Sequence, residues 1–196
     1  MEGFGGYPIL SWPVCWTAGG NALTDKSGNT IVSSPFYGLQ LYGVPSPSFE
    51  PAVEAVPASA YHPCSFREDF SLRLRIHNGS EDLSPWIPNS PRAYVGMSHG
   101  SSGDQPSRQL IKFSGDGKVL AADGSVLTTY QTRTTYDVRI DYHRSGTSLS
   151  LHYWLNGADV GSRSLTIIDL EAELSLDHLE LKVFEGSATF GDIIVI

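Results

Sequence analysis

The chain has 196 residues, of which 40% are hydrophobic and only 17% charged, with a formal net charge of −8 and a pI near 5.1. That length holds one sizeable core, so a single domain over residues 1–196 is expected, and the acidic surface repels phosphate backbones and argues against nucleic acid as a partner. Sparse charge with 20 Gly and 12 Pro argues against a helical bundle and for many short strands joined by turns.

The N-terminal "MEGFGGYPILSWPVCW" has neither a positive leader nor a continuous apolar run, so no secretory signal is expected. No stretch approaches the roughly 18 apolar residues needed to span a membrane. Both features predict a chain assembled in the cytoplasm of the producing cell. Cys15 and Cys64 form neither a disulfide framework nor a zinc motif. They read as two thiols, with a single bridge left open.

Gly43 to Pro63 contains five prolines and is expected to be a loop, because proline cannot donate to a central ladder. "FSLRLRIHN" follows as a strand, with Phe70, Leu72, Leu74 and Ile76 on one face and Ser71, Arg73, Arg75 and His77 on the other. A second Pro-rich loop, residues 78–92, leads to a strand at "YVGM". Loops of such length are usually functional or disordered. "RQLIKFS", "GKVLAA" and "SVLTTYQT" are three more short strands, separated by turns at Gly115-Asp116-Gly117 and Asp123-Gly124.

"YDVRIDYHRSGTSLSLHYWLNG", Tyr136 to Gly157, has the alternation of a β-hairpin. With Ser145-Gly146 as the tip, Tyr142 faces Leu149, Ile140 faces Leu151, Val138 faces Tyr153 and Tyr136 faces Leu155. The opposite face then pairs His143 with Ser148, Asp141 with Ser150, Arg139 with His152 and Asp137 with Trp154. A slip of one residue would exchange the faces, so the apolar set is assigned to the core. A short helical turn is expected near Asp169 to Glu173. "LDHLELKVF" and the closing "ATFGDIIVI" complete the strands.

The order of these elements carries a resemblance. "MEGFGGY" is a short first strand and "SPFYGLQLYG" a second, edge element. The Asp-Gly turns at Asp116-Gly117 and Asp123-Gly124, a hairpin ending in Leu155-Asn156-Gly157, and a last strand "FGDIIV" closing against the first come after them. This succession, over nearly the whole chain, resembles the concanavalin A-like, laminin G-like jelly roll, and within it the versions in tailed-bacteriophage virion proteins. The resemblance implies an all-β, two-sheet antiparallel jelly-roll sandwich. It implies a virion structural or accessory protein, a capsid decoration, head fibre or tail component, assembled in the host cytoplasm. Its partners would then be other virion proteins or copies of itself. Pro-rich loops suit such docking, because a pre-set chain loses less entropy.

Hydrolases of this fold carry Glu-x-Asp-x-x-Glu on one strand, and the chain lacks that spacing. Asp137 and Asp141 share a face but stand roughly 13 Å apart at ~3.3 Å per residue, beyond the 5–5.5 Å of a retaining pair, with Arg139 between them. Asp169, Glu171 and Glu173 alternate but fall in the turn. A non-enzyme is therefore expected, with a polysaccharide lyase or glycoside hydrolase as the weaker alternative. No cofactor or metal is expected. Asp104, Asp116 and Asp123 are the weak candidates for a calcium site, since Asp-Gly is first a turn signal. The principal alternative function is a lectin-like module for surface glycans. Trp154 with His152, Arg139 and Asp137 on the outer hairpin face, and Trp86 in the second Pro-rich loop, are its candidate residues. An aromatic ring beside hydrogen-bonding groups is what a sugar needs.

Overall fold

The computed structural model describes residues 17–19, 29–33, 37–43, 58–78, 91–101, 106–184 and 186–196. Among these residues lie fourteen strands and one short helix. The strands are β1 Thr17–Gly19, β2 Asn29–Ser33, β3 Tyr37–Gly43, β4 Ala58–Pro63, β5 Asp69–Asn78, β6 Pro91–Ser98 and β7 Ser107–Ser114. They continue as β8 Lys118–Ala121, β9 Val126–Thr129, β10 Thr134–Ser145, β11 Ser148–Leu155, β12 Ala158–Thr166, β13 His178–Val183 and β14 Gly186–Val195, with α1 Leu170–Leu174 between β12 and β13. One sheet runs β1-β4-β13-β6-β7-β8-β9 and the other β12-β11-β10-β5-β14-β3-β2. All pairings are antiparallel. The two-sheet all-β sandwich expected from the alternation is the architecture observed.

Inward faces from both sheets build one hydrophobic cluster. Phe70, Leu72, Leu74 and Ile76 of β5 meet Tyr136, Val138, Ile140 and Tyr142 of β10 and Leu149, Leu151, Tyr153 and Leu155 of β11. Opposite stand Val95 and Met97 of β6, Leu110, Ile111 and Phe113 of β7 and Leu179, Leu181 and Val183 of β13. Tyr153 is fully buried, and its phenol oxygen accepts the Ala122 N–H at 3.1 Å, from the turn after β8. It thus joins the sheets through the core, and burial pushes its pKa up to about 12.

Turn chemistry explains the connections. Gly117 and Gly124 adopt φ of +80° and +81° in the two turns expected from their Asp-Gly dipeptides. Asn156 and Gly157 both have positive φ, the type I′ tip that matches strand twist between β11 and β12.

Four expectations are corrected. The β10–β11 register is shifted by two residues: the tip is Gly146-Thr147, and Tyr142 faces Leu151, Ile140 faces Tyr153 and Val138 faces Leu155. Gly146, with φ +57°, takes the first tip position, where glycine is favoured. An even shift preserves the faces, so the core assignment stands, but Trp154 faces Arg139 and not Asp137, and His152 faces Asp141. Second, the end of the first Pro-rich segment is not loop: β4 lies inside its sheet between β1 and β13 and takes in Pro63 as its last residue. Third, Pro91 and Arg92 open β6, a first-residue position that proline tolerates. Fourth, β3 lies between β14 and β2 and is not an edge among the described strands. "MEGFGGY" lies outside the described residues.

The expected helical turn exists as α1, with Asp169 as N-cap accepting the Ala172 N–H at 3.0 Å. It is anchored by Glu173, whose carboxylate is buried. Arg108 of β7 donates to it through Nε at 3.0 Å and a terminal nitrogen at 2.6 Å, and the Tyr142 hydroxyl of β10 donates at 2.9 Å. One carboxylate therefore ties the helix to both sheets. At the neighbouring side of the sandwich, β12 and β9 come together. Arg163 donates to the Ser125 hydroxyl, to the Val126 carbonyl at 3.1 Å and to the Ser162 carbonyl at 2.7 Å.

Ile140→Ala or Leu151→Ala should cost about 2–5 kcal/mol, as cavities in a filled core, whereas Arg139→Ala on the outer face should stay within about 1 kcal/mol. Denaturant midpoints in the reverse order would overturn the assignment of faces. Glu173→Ala should cost about 3 kcal/mol, since it leaves the partly buried Arg108 guanidinium and the Tyr142 hydroxyl without their acceptor; an unchanged urea midpoint would show that α1 is held by other contacts.

Candidate functional site: a cleft on the outer face of β5, β10, β11 and β14

The alternation that buries Val138 and Ile140 turns Asp137, Arg139 and Asp141 outward on β10. On the flanking strands the same parity exposes Arg73 and Arg75 of β5 and places His152 and Trp154 on the outer face of β11. Register then aligns Trp154, Arg139, Arg73 and Ile194 as successive neighbours across β11, β10, β5 and β14. Asp137 and Arg75 form the next pair along. A bulge between Gly191 and Ile194 places Asp192 at φ +49° beside them. Together these side chains surround an open cleft of about 520 Å³, with the strands at Leu74 and Val138 below and Gly157 at one end. That size lies within the range of small-ligand sites.

Charge in the cleft is largely paired. Arg75 donates to Asp137 at 3.1 Å and meets Asp192 at 3.0 Å. Arg139 grips Asp141 with two parallel bonds, Nε to Oδ1 at 2.9 Å and a terminal nitrogen to Oδ2 at 2.6 Å. The Ser71 hydroxyl adds a third bond to Asp141 at 2.7 Å. Burial works to raise the Asp141 pKa, but the Arg139 and Ser71 bonds outweigh it and hold the carboxyl below its ordinary value. The same pair raises the Arg139 pKa.

The indole of Trp154 is half-buried, and neighbours on its own sheet pack against it. The His152 ring stacks on it with centroids 3.9 Å apart, and the Arg139 guanidinium carbon lies 4.3 Å from its centroid. His152 is held in turn by Asp159 of β12, Nε2 to Oδ2 at 2.9 Å. The Gly161 N–H and His152 lower the Asp159 pKa. Trp154 is thus clamped as a rigid wall, with its ring position fixed by stacking on both a strand neighbour and a cross-strand neighbour.

The structure therefore gathers Trp154, Arg139 and Asp137 around one cleft and places His152 directly behind the aromatic wall. Trp86, Asp104 and Cys15 lie outside the described residues. Cys64 is a half-buried free thiol whose pKa is raised by burial. Asp116 and Asp123 sit in turns at opposite ends of β8 and act there as turn residues. Asp116 bonds Lys118 at 2.6 Å and the Ser114 hydroxyl, while Asp123 accepts the Ser125 N–H at 2.9 Å. Among the described residues no group of three or more His, Cys, Asp or Glu is placed to hold a metal ion. His143 lies on the outer face with His152, but it contacts Asp69 across the β5 pairing.

Arg73, Arg75 and Asp192 were not among the candidates from sequence. The first two carried a signal, since they alternate outward on "FSLRLRIHN". Nothing local shows that β5 and β14 lie beside β10, because those pairings join residues far apart in the chain.

No protein-family model matches the chain, and no curated protein matches it. Solved structures do match by shape. A sialidase aligns with a TM-score of 0.58 at 8% identity, over 86% of this chain but only 16% of the sialidase. Peanut lectin aligns at 0.52 with 12% identity, over 95% of this chain and 96% of the lectin. A protein from work on endo-acting O-glycanases of the human gut microbiota aligns at 0.57 with 10% identity, over 100% of this chain and 97% of its own. The fold is the concanavalin A-like, lectin-like sandwich. Identities this low establish that architecture and leave the chemistry to the cleft of the lectin-like sandwich itself.

The depressed carboxyls set a pH window. A group whose folded pKa lies below its unfolded value, near 3.9 for aspartate, contributes stability above that value and loses it as pH falls through the folded pKa. Wild type should therefore exceed Asp141→Asn in unfolding midpoint at neutral pH, and the margin should shrink below about pH 4. A margin that grows on acidification would contradict the pairing of Asp141 with Arg139.

Proposed function

We infer that the protein is a carbohydrate-binding module and that the outer-face cleft is its sugar site. One observation supports this reading most: a tryptophan wall, rigidly held, shares an open cleft with a dense set of guanidinium and carboxylate groups. A sugar presents C–H surfaces that pack on an aromatic ring and hydroxyls that both donate and accept hydrogen bonds. Trp154 supplies the first kind of contact, and Arg75, Asp137, Arg139 and Asp192 supply the second. Their mutual ion pairs fix the hydrogen-bonding groups before a ligand arrives, which reduces the ordering cost of binding.

The reading is of binding without turnover. Most glycoside hydrolases use a carboxylic acid with a raised pKa beside a second carboxylate. In the cleft, Asp137 and Asp192 both engage Arg75, and beside it Asp141 is held ionised by Arg139. The lectin-like shape adds support for sugar binding. The sialidase and O-glycanase likenesses cover the same sandwich at 8% and 10% identity and carry the fold alone. The virion accessory role rests on the sequence resemblance alone, since none of the compared structures described above is named as a virion protein.

Trp154→Ala should abolish retention on a glycan array, or weaken a titrated oligosaccharide by about tenfold or more, while the unfolding midpoint stays within about 1 kcal/mol of wild type. Loss of a homo-oligomer in light scattering, with glycan retention intact, would instead make the face a protein contact and overturn the sugar reading.

A further inference from the structure

We propose that the sugar taken by this cleft is anionic, and that Arg73 receives its carboxylate or sulfate group. This rests on the carbohydrate-binding reading above and specifies its ligand. Arg73 is exposed, lines the cleft, and has no hydrogen-bond or ion-pair partner among the described residues. Its surroundings make that absence costly. The residue directly opposite on β10 is Arg139, and Arg75 lies two positions along on the same face of β5. Like charges facing each other across a ladder are destabilising. The other two guanidinium groups are compensated, Arg139 by Asp141 and Arg75 by Asp137 and Asp192. Among the described residues no acid is left for Arg73. Ile194 faces it on β14, and Ser71, two positions back along β5, gives its hydroxyl to Asp141.

The cleft therefore presents one guanidinium with its donors open beside two that are occupied. A planar fork of N–H groups matches a carboxylate or sulfate through two parallel bonds, which an ammonium cannot do. Arg73 is two strand steps from Trp154, roughly 10 Å at the usual spacing, so one oligosaccharide reaches both. The overall charge of −8 does not forbid this. Screening confines charge effects to about 8 Å at physiological ionic strength, and three of the 13 basic side chains lie in this cleft.

The test uses the full chain on an array of matched neutral and acidic glycans, including lactose, 3′-sialyllactose and 3′-sulfolactose. Wild type, Arg73→Gln, Arg73→Lys and Trp154→Ala are compared. Wild type should retain acidic members over their neutral counterparts by about tenfold. Arg73→Gln should lose that preference while keeping whatever neutral binding exists. Arg73→Lys should recover only part of it, and Trp154→Ala should lose both classes. The sialylated and sulfated arms tell which acid is taken. The unfolding midpoint of Arg73→Gln should equal or exceed that of wild type, because a repulsion is relieved. Equal retention of neutral and acidic glycans, a preference that survives Arg73→Gln, or a lowered midpoint would each overturn the role of Arg73 and leave the sugar-binding reading standing. Failure to retain any glycan would overturn both.

Discussion

Everything on this protein's outer face depends on the pleat of β10. Its twelve residues lie between β5 and β11, and each successive side chain goes to the opposite side. Tyr136, Val138, Ile140 and Tyr142 fill the core, and for that reason alone Asp137, Arg139 and Asp141 must stand outside. The burial that drives folding thereby sets the direction of the cleft's polar groups. A strand held in the middle of a sheet by ladders on both sides is also rigid, so these groups keep their mutual distances. Bulges add what a regular pleat cannot supply. The one in β14 swings Asp192 towards Arg75, and the irregularity between Tyr153 and Trp154 brings Asp159 to His152.

Parity was legible in the sequence, and partnership was not. Alternation over Tyr136–Leu155 told inside from outside correctly, because any even register shift leaves it intact. It could not tell a tip at Ser145-Gly146 from one at Gly146-Thr147, and that difference decides whether Trp154 faces an acid or Arg139. The strands that escaped notice each lack a clear alternation of their own. β12 is a largely exposed edge strand, "ADVGSRSLT", with a bulge and few apolar residues, and β2 has only five residues. β4 was obscured by the prolines around it, although its own Ala58–Tyr61 segment is buried. Glu173 read as one acid in a turn. Its burial under Arg108 and Tyr142 comes from strands about 65 and 31 residues away, which no local pattern encodes.

Glu173 inside the sandwich and the acids around the cleft show opposite uses of the same chemistry. Glu173 satisfies its oxygens entirely with protein donors and so acts as a structural rivet. Around the cleft, Asp137, Asp141 and Asp192 answer two of three arginines and stop there. A network that compensates itself completely stabilises a fold, whereas one that stops a single partner short keeps recognition capacity at its surface.

Arg163 has a bearing on how the molecule avoids joining itself. An edge strand displays unpaired carbonyl and amide groups on which a foreign strand can grow, and fibrous aggregates extend in that manner. Along β12, the bulge at Gly161 disturbs the flat ladder such growth requires, and the long side chain of Arg163 occupies the Ser162 and Val126 carbonyls. The meeting of β12 and β9 is accordingly a poor template for strand addition. A chain so guarded along one edge has its outer sheet face, and not its strand ladder, as the broad surface open to contact.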